Sequence, residues 1–179
     1  MNVQALKMGS KAPRFDLPGV DGKRHATDEF KGSMAVAVIF SCNHCPYVQA
    51  YEDRMVELQK DYAQKGVQLI AINSNETKNF PEDDLPHMIQ RAKAKKFNFP
   101  YLRDEDQSVA REYGPARTPE VFLFDGEFVL RYHGAIDDNY QNPAKVKRKY
   151  LREALDDVLA GKQVRTPDTQ AVGCSVKWL

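Results

Sequence analysis

Residues 34–40, Met-Ala-Val-Ala-Val-Ile-Phe, are apolar throughout, and Cys42-Asn43-His44-Cys45-Pro46 follows almost at once. An unbroken apolar run of this length suits a strand buried on both faces. Beyond the cysteines, Tyr47, Val48, Tyr51, Met55, Leu58 and Tyr62 recur at three- and four-residue steps, the pattern of a helix with one apolar face. The two sulfurs therefore belong to the turn in which a buried strand hands over to a helix. Two intervening residues let them approach to bonding distance. The helix N-terminus adds unpaired N–H groups and partial positive charge, which favour a thiolate. Thiolate is the nucleophile of disulfide exchange, so the placement makes this pair a redox candidate.

The rest of the chain alternates strand and helix signals, as an α/β fold does. Residues 12–18 read as extended, and Asp21-Gly22 as a hairpin turn. A short turn covers 27–31, closed by Gly32. Gly66 caps the long helix, and residues 67–73, Val-Gln-Leu-Ile-Ala-Ile-Asn, form the next buried strand. A helix opens near Asp84-Leu85-Pro86, with Leu85, Met88, Ile89 and Ala92 as its apolar face. A short helix over 108–113 ends at Gly114. A strand over 121–124 turns at Asp125-Gly126 into a second over 128–132. The last helix is expected over 146–160, between Asn142-Pro143 and Gly161. Residues 162–179 show no periodicity and read as a tail packed on a single domain spanning 1–179.

The charge is nearly balanced, with 26 basic against 25 acidic residues. It offers no electrostatic footprint for nucleic acid or an anionic membrane, and neither is expected as a partner. No apolar stretch approaches membrane-spanning length, and no secretory signal follows Met1-Asn2-Val3. The chain reads as cytoplasmic. Three cysteines, Cys42, Cys45 and Cys174, are too few for a secreted disulfide scaffold. In a reducing compartment a close pair is catalytic or metal-binding rather than structural.

Arg117-Thr118-Pro119 precedes the strand at 121–124. Together with strand, Cys-x-x-Cys and helix, it resembles the thioredoxin-like superfamily, in which a cis-proline at this place faces the dithiol. Ala12-Pro13-Arg14-Phe15-Asp16-Leu17 resembles the N-terminal hairpin of the peroxiredoxin-like branch, that of the alkyl hydroperoxide reductase and thiol-specific antioxidant proteins. Cys42-Asn43-His44-Cys45-Pro46-Tyr47-Val48, Ala71-Ile72-Asn73-Ser74-Asn75 and Gly173-Cys174-Ser175-Val176-Lys177-Trp178 resemble a subgroup of that branch. The resemblance covers nearly the whole chain. It implies a thioredoxin-like α/β fold with a mixed central sheet flanked by helices and an N-terminal β-hairpin extension.

It also implies an antioxidant or redox-homeostasis enzyme without a cofactor, exchanging with protein or small-molecule disulfides and regenerated by a thiol partner. In this reading Cys42 attacks a disulfide, Cys45 resolves the mixed disulfide, and Pro119 with Thr118 shapes the substrate surface. The peroxiredoxins of the branch carry Thr or Ser where this chain has Cys42, and an Arg near the position of Pro119, two residues from Arg117. The alternative is a thiol peroxidase in which Cys45 becomes a sulfenic acid. Peroxides would then be substrates. His44 beside the second cysteine implies a pair more oxidising than thioredoxin's.

Three further readings are open. A zinc site on Cys42, Cys45, Cys174 and one histidine would make the chain a metal-binding module, and a fold kept without turnover could equally serve as an interaction module. No second C-x-x-C or H-x-x-x-H supports the zinc site, and no metal is expected. Cys174 is either a third redox thiol or a small buried residue anchoring the tail, and the second is preferred. Glu82-Asp83-Asp84 and Lys93, Lys95 and Lys96 read as charges complementing the two ends of one helix. His25, His87 and His133 read as ordinary surface or loop residues, Asp137-Asp138-Asn139 as a loop lacking calcium spacing, and the tyrosines of the long helix as core.

Overall fold

The computed structural model describes residues 3–179, so the reading of Met1 and Asn2 lies outside it. An arm with a small hairpin comes first, β1 (Asp16–Pro18) against β2 (Arg24–Ala26), followed by a 3-10 turn at Thr27–Phe30. Then come β3 (Ala35–Ser41), α1 (Pro46–Tyr62), β4 (Val67–Asn73) and α2 (Leu85–Ala94). β5 (Tyr101–Arg103), α3 (Ser108–Tyr113) and the short β6 (Arg117–Thr118) lead to β7 (Glu120–Asp125) and β8 (Leu130–Gly134). α4 (Tyr150–Leu159) and β9 (Cys174–Ser175) complete the chain.

The main sheet has the order β5-β4-β3-β7-β8. β3 runs parallel to β4 and antiparallel to β7, so the sheet is mixed. Its central strand is the apolar run, and every residue of β3 is buried. One face packs against Tyr51, Met55, Leu58 and Tyr62 of α1 and Leu151 and Leu155 of α4. The other face packs against Phe15, Leu17 and Phe30 of the arm and Val109 and Tyr113 of α3. This is the expected α/β fold with its N-terminal hairpin, and the tyrosines of α1 are core. Gly66 sits at φ 80° and closes the turn after α1, a conformation that suits glycine.

Four local expectations are corrected. β5 escaped the sequence reading because three residues carry too little pattern to stand out. Ile89 of α2 is 42% exposed, so the apolar face there is narrower than the spacing implied. α4 begins at Tyr150, not 146. The Lys147 amide donates to Asp138 Oδ1 and the Asp138 amide to Arg148 O, and these bonds hold that stretch extended. The strand expected from 128 starts at Leu130, since Phe128 has φ 59° and completes the turn from Asp125. No helix among the described residues is long and apolar enough to cross a membrane.

The C-terminal segment includes a strand the sequence did not show. β9 pairs antiparallel with β6, Thr118 opposite Cys174 and Arg117 opposite Ser175.

Candidate active site

The sequence places the cysteines at the strand–helix junction, and the structure fixes which of them holds the helix end. α1 starts at Pro46, with Cys45 as its extended N-cap. Cys45, not Cys42, thus faces the unpaired N–H groups of the first turn. Pro46 decides this sterically. It is tolerated at the first helical position but restricts the residue before it to extended backbone.

Both sulfurs are buried, with Cys42 1% and Cys45 0% exposed. Thr118 lies over them: its hydroxyl is 3.6 Å from Cys42 Sγ and its carbonyl oxygen 3.6 Å from Cys45 Sγ. The Thr118–Pro119 bond is cis, as expected. Cys174 Sγ lies 2.7 Å from Cys45 Sγ. The three cysteines, 129 residues apart at the extremes of the Cys45–Cys174 contact, therefore form one cluster. The preferred account of Cys174 as a tail anchor alone does not describe this placement. Arg117 is exposed beside the cluster.

The electrostatics separate the pair. Cys45 is held well below the ordinary thiol range, first by its hydrogen bond with Cys42 and, against the opposing effect of burial, by another with Cys174. Cys42 is pushed far up by the same bond with Cys45, by burial and by the charge of Asp83. Burial and the Cys45 contact raise Cys174 to about 11. Of the three thiols only Cys45 is shifted toward the thiolate, in line with its place at the helix end.

Asp83 is the residue that sequence reasoning missed. Read as one of three acids complementing a helix, it is fully buried, and only Asp84 does the expected work, capping α2 through the His87 amide. Asp83 accepts from the Asn43 amide at 2.6 Å, from Asn75 Nδ2 at 3.0 Å and from Asn73 Nδ2 at 3.2 Å. His44 Nδ1 also pairs with it, the ring stacked on Phe80. Asn43 in turn donates to Glu82 O and accepts from Tyr101 OH, each at 2.8 Å. The two residues between the cysteines thus pin the turn from below. No local signal marks Asp83, because its partners are far along the chain.

Glu120 was also missed. It is buried after the cis-proline and accepts from the Ala116 and Arg117 amides at 3.2 and 3.1 Å. His133 Nε2 meets its other oxygen at 2.9 Å, and Nδ1 meets Asp168 at 3.1 Å. His133 is therefore a half-buried bridge between the proline loop and the tail, not an ordinary surface histidine. Burial opposes its charge, but Glu120 and then Asp168 outweigh this and raise its pKa.

Donors for a metal are differently arranged from the expected set. Cys42, His44 and Asp83 offer ligand atoms within 4.8 Å of one another. An ion there would have to break the His44–Asp83 hydrogen bond that holds the turn.

A buried dithiol at a helix N-terminus, facing a cis-proline on a mixed five-stranded sheet, defines a thioredoxin-like redox protein. Residues 8–133 match the AhpC/TSA family, and the chain belongs to that family. It is similar to a hypothetical protein of Sinorhizobium meliloti 1021, with 41% identity and a TM-score of 0.92 over 98% of this chain and 97% of that one. It is also similar to the thiol-disulfide oxidoreductase ResA of Bacillus thuringiensis subsp. konkukian, 29% identical over 126 residues, which are 68% of this chain and 66% of that protein. Peroxiredoxin Bcp of Escherichia coli K12 is 32% identical over 117 residues, 63% of this chain and 67% of that protein. The match thus spans just under two thirds of the length of the ResA relative.

Proposed function

We propose that this protein is a thiol–disulfide oxidoreductase whose dithiol is Cys42 and Cys45. The observation that carries the reading is Cys45 at the N-cap of α1, packed with Cys42 and covered by Thr118 of the cis-proline loop. A thiolate held at a helix end attacks disulfides, and a second thiol beside it completes the exchange. The sequence alone put Cys42 in the attacking role; Cys45 at the helix start supports the reverse order, with Cys45 attacking and Cys42 closing. Cys42 must lose a proton to close the disulfide, and the Asp83 carboxylate within 4.8 Å is the acceptor at hand. The similarity to ResA, named as a thiol-disulfide oxidoreductase, supports this reading.

The substrates are protein or small-molecule disulfides and the reductant is a thiol partner, which places the cycle in a reducing compartment such as the cytoplasm. Stabilising the Cys45 thiolate stabilises the reduced form and raises the potential. Equilibration with glutathione buffers, read by mass spectrometry, should find a Cys42–Cys45 disulfide with a potential above thioredoxin's value of about −270 mV. No Cys42–Cys45 disulfide, or a potential at or below that value, would overturn the reading.

One observation favours a second reading. Cys45-Pro46 at the helix cap is also the placement of a peroxide-reactive thiolate, and peroxiredoxin Bcp is a relative. Peroxide would then oxidise Cys45 to a sulfenic acid. Cys42 stands where a hydroxyl would hold the peroxide oxygen, and sulfur is a weak donor and acceptor. Thiol loss in hydrogen peroxide, compared with thiol loss in a protein disulfide, separates the two: faster loss in peroxide selects the peroxidase.

A further inference from the structure

The dithiol described above is out of reach. Cys42 and Cys45 are 1% and 0% exposed, whereas Cys174 beside them is only partly covered. The strand that carries Cys174 is what closes the site, because β9 occupies the free edge of Thr118. We infer that Cys174 is a third catalytic thiol, the one that meets the external disulfide and passes it to the buried pair through Cys45. The inference rests on the dithiol reading and deepens it.

The tail is built for this position. Gly173 lies flat on the cis-proline loop: a Cβ there would fall 2.0 Å from Thr118 O and 2.7 Å from its carbonyl carbon. Only a residue without a side chain brings the next one down to the sulfurs. The strand is also fixed on both sides of Cys174. Upstream, the Thr169 amide donates to His133 O and Thr169 Oγ1 accepts from the Ala135 amide, at 3.0 and 2.9 Å. Downstream, the Val176 amide donates to Ala116 O, the Lys177 amide to Asn75 Oδ1 and the Leu179 amide to Gln107 Oε1. Gln107 also donates to Lys177 O and is wholly buried, with φ 63°. A segment tied at this many points holds its thiol at one position instead of sweeping as a loose cover. Cys45 shares one cluster with Cys42 and Cys174, its Sγ 2.7 Å from that of Cys174, which is the contact a relay needs.

The chemistry balances. Cys174 sulfur attacks one sulfur of the external disulfide, its proton passes to the Cys45 thiolate, and the first external thiolate leaves and takes a proton from water. Cys45 then attacks Cys174 Sγ, giving a Cys45–Cys174 disulfide, and its proton goes to the second departing thiolate. Cys42 gives its proton to Asp83 and attacks Cys45 Sγ, forming Cys42–Cys45, and that proton, released by way of water, returns to the departing Cys174 thiolate. Two electrons leave the buried dithiol, the external disulfide is reduced to two thiols, and Cys174 ends as it began. Arg117 and Lys177 lie near Cys174 and suit external disulfides that carry negative charge.

The test uses the full chain and 5,5′-dithiobis(2-nitrobenzoate), a small disulfide bearing carboxylates. In Cys45→Ser the relay is cut after its first step, so the adduct should accumulate on Cys174, with Cys42 free to alkylation. In Cys174→Ser, reduction of a folded protein disulfide should fall at least tenfold, while diamide still closes Cys42–Cys45. That second readout shows that the variant is folded and that the dithiol reading stands. An adduct on Cys42 in the first variant, or an unchanged rate in the second, overturns the relay and leaves the dithiol intact. Failure of diamide to close Cys42–Cys45 in wild type and variant alike removes both readings.

Discussion

The two ends of the chain both wrap onto the sheet and both hydrogen-bond to it, but they differ in how much apolar surface they bury. The N-terminal arm adds apolar burial to backbone bonds such as Leu6 N–H to Tyr113 O, Ala12 N–H to Phe128 O and Val20 N–H to Tyr101 O. Phe15, Leu17 and Phe30 are 6–7% exposed and pack with Val36, Phe40 and Leu102. Its ion pairs, such as Arg14–Asp28 and Arg24–Asp16, lie on the surface. The C-terminal tail fully buries only Ala171 and Val176, with Val164 and Trp178 partly buried against the core, and relies more on hydrogen bonds to Asn75, Gln107, Ala116, His133 and Ala135. Apolar burial is non-directional and tolerates small shifts. Hydrogen bonds fix distance and angle. The arm stabilises the sheet; the tail sets one sulfur against another.

The sharpest break of this comparison is on the arm. Phe15→Ala should cost about 3 kcal/mol of stability, as truncation of a buried aromatic does, and leave the alkylation rates of all three thiols unchanged below the melting transition. Denaturant unfolding with a parallel alkylation time course checks both. Faster alkylation of Cys45 in this variant would mean that the arm, too, positions the site.

On the tail the contrast should reverse. His133→Ala removes the bridge between Glu120 and Asp168 and should cost roughly 2 kcal/mol, the scale of hydrogen bonds to charged groups, with a clear rise in Cys174 alkylation. The groups facing this ring are Glu120, Asp168 and the Phe122 side chain. Its raised pKa fixes the sign of the pH dependence. The stabilisation is fully present below about pH 6.5, the ordinary histidine value, and is lost as pH climbs through the higher native value. Wild-type protein should therefore lose stability relative to His133→Ala as pH rises. A constant gap between the two melting curves across that range would count against the bridge.

Smaller still is Thr169→Val, which removes the hydroxyl that Tyr132 OH and the Ala135 amide both meet, at 2.6 and 2.9 Å. A loss of about 1 kcal/mol is expected, with hydrogen exchange rising at the Ala135 and Thr169 amides and not in the arm. Arg14→Ala closes the series. Its pair with Asp28 is solvent-exposed, and no measurable change in melting temperature or thiol reactivity is expected.

The same division governs what was legible in the sequence. The bounds of Val67–Asn73 and Ser108–Tyr113 and the Asp21-Gly22 turn follow from patterns within a few residues, and the structure has them as read, while Gly66 caps the 3-10 turn Ala63–Lys65 that follows α1 and not α1 itself. The dithiol was legible for the same reason: strand, two cysteines and helix are adjacent. Asp83, Glu120 and His133 were not, because each acts through partners brought together by the sheet. Asp83 looks like its neighbours Glu82 and Asp84 in any local window.

The sequence by itself determined that a buried strand runs into a cysteine pair at a helix start, because periodicity and motif are short-range properties of the chain. Only the tertiary structure decided which cysteine caps the helix, what lies beneath the turn and where the third sulfur goes. Cys174 comes 129 residues after Cys45. Its arrival beside that sulfur depends on β6–β9 pairing, on a glycine with no room for a side chain, and on hydrogen bonds to four distant segments. Those are long-range, directional constraints, and no local pattern in a sequence encodes them.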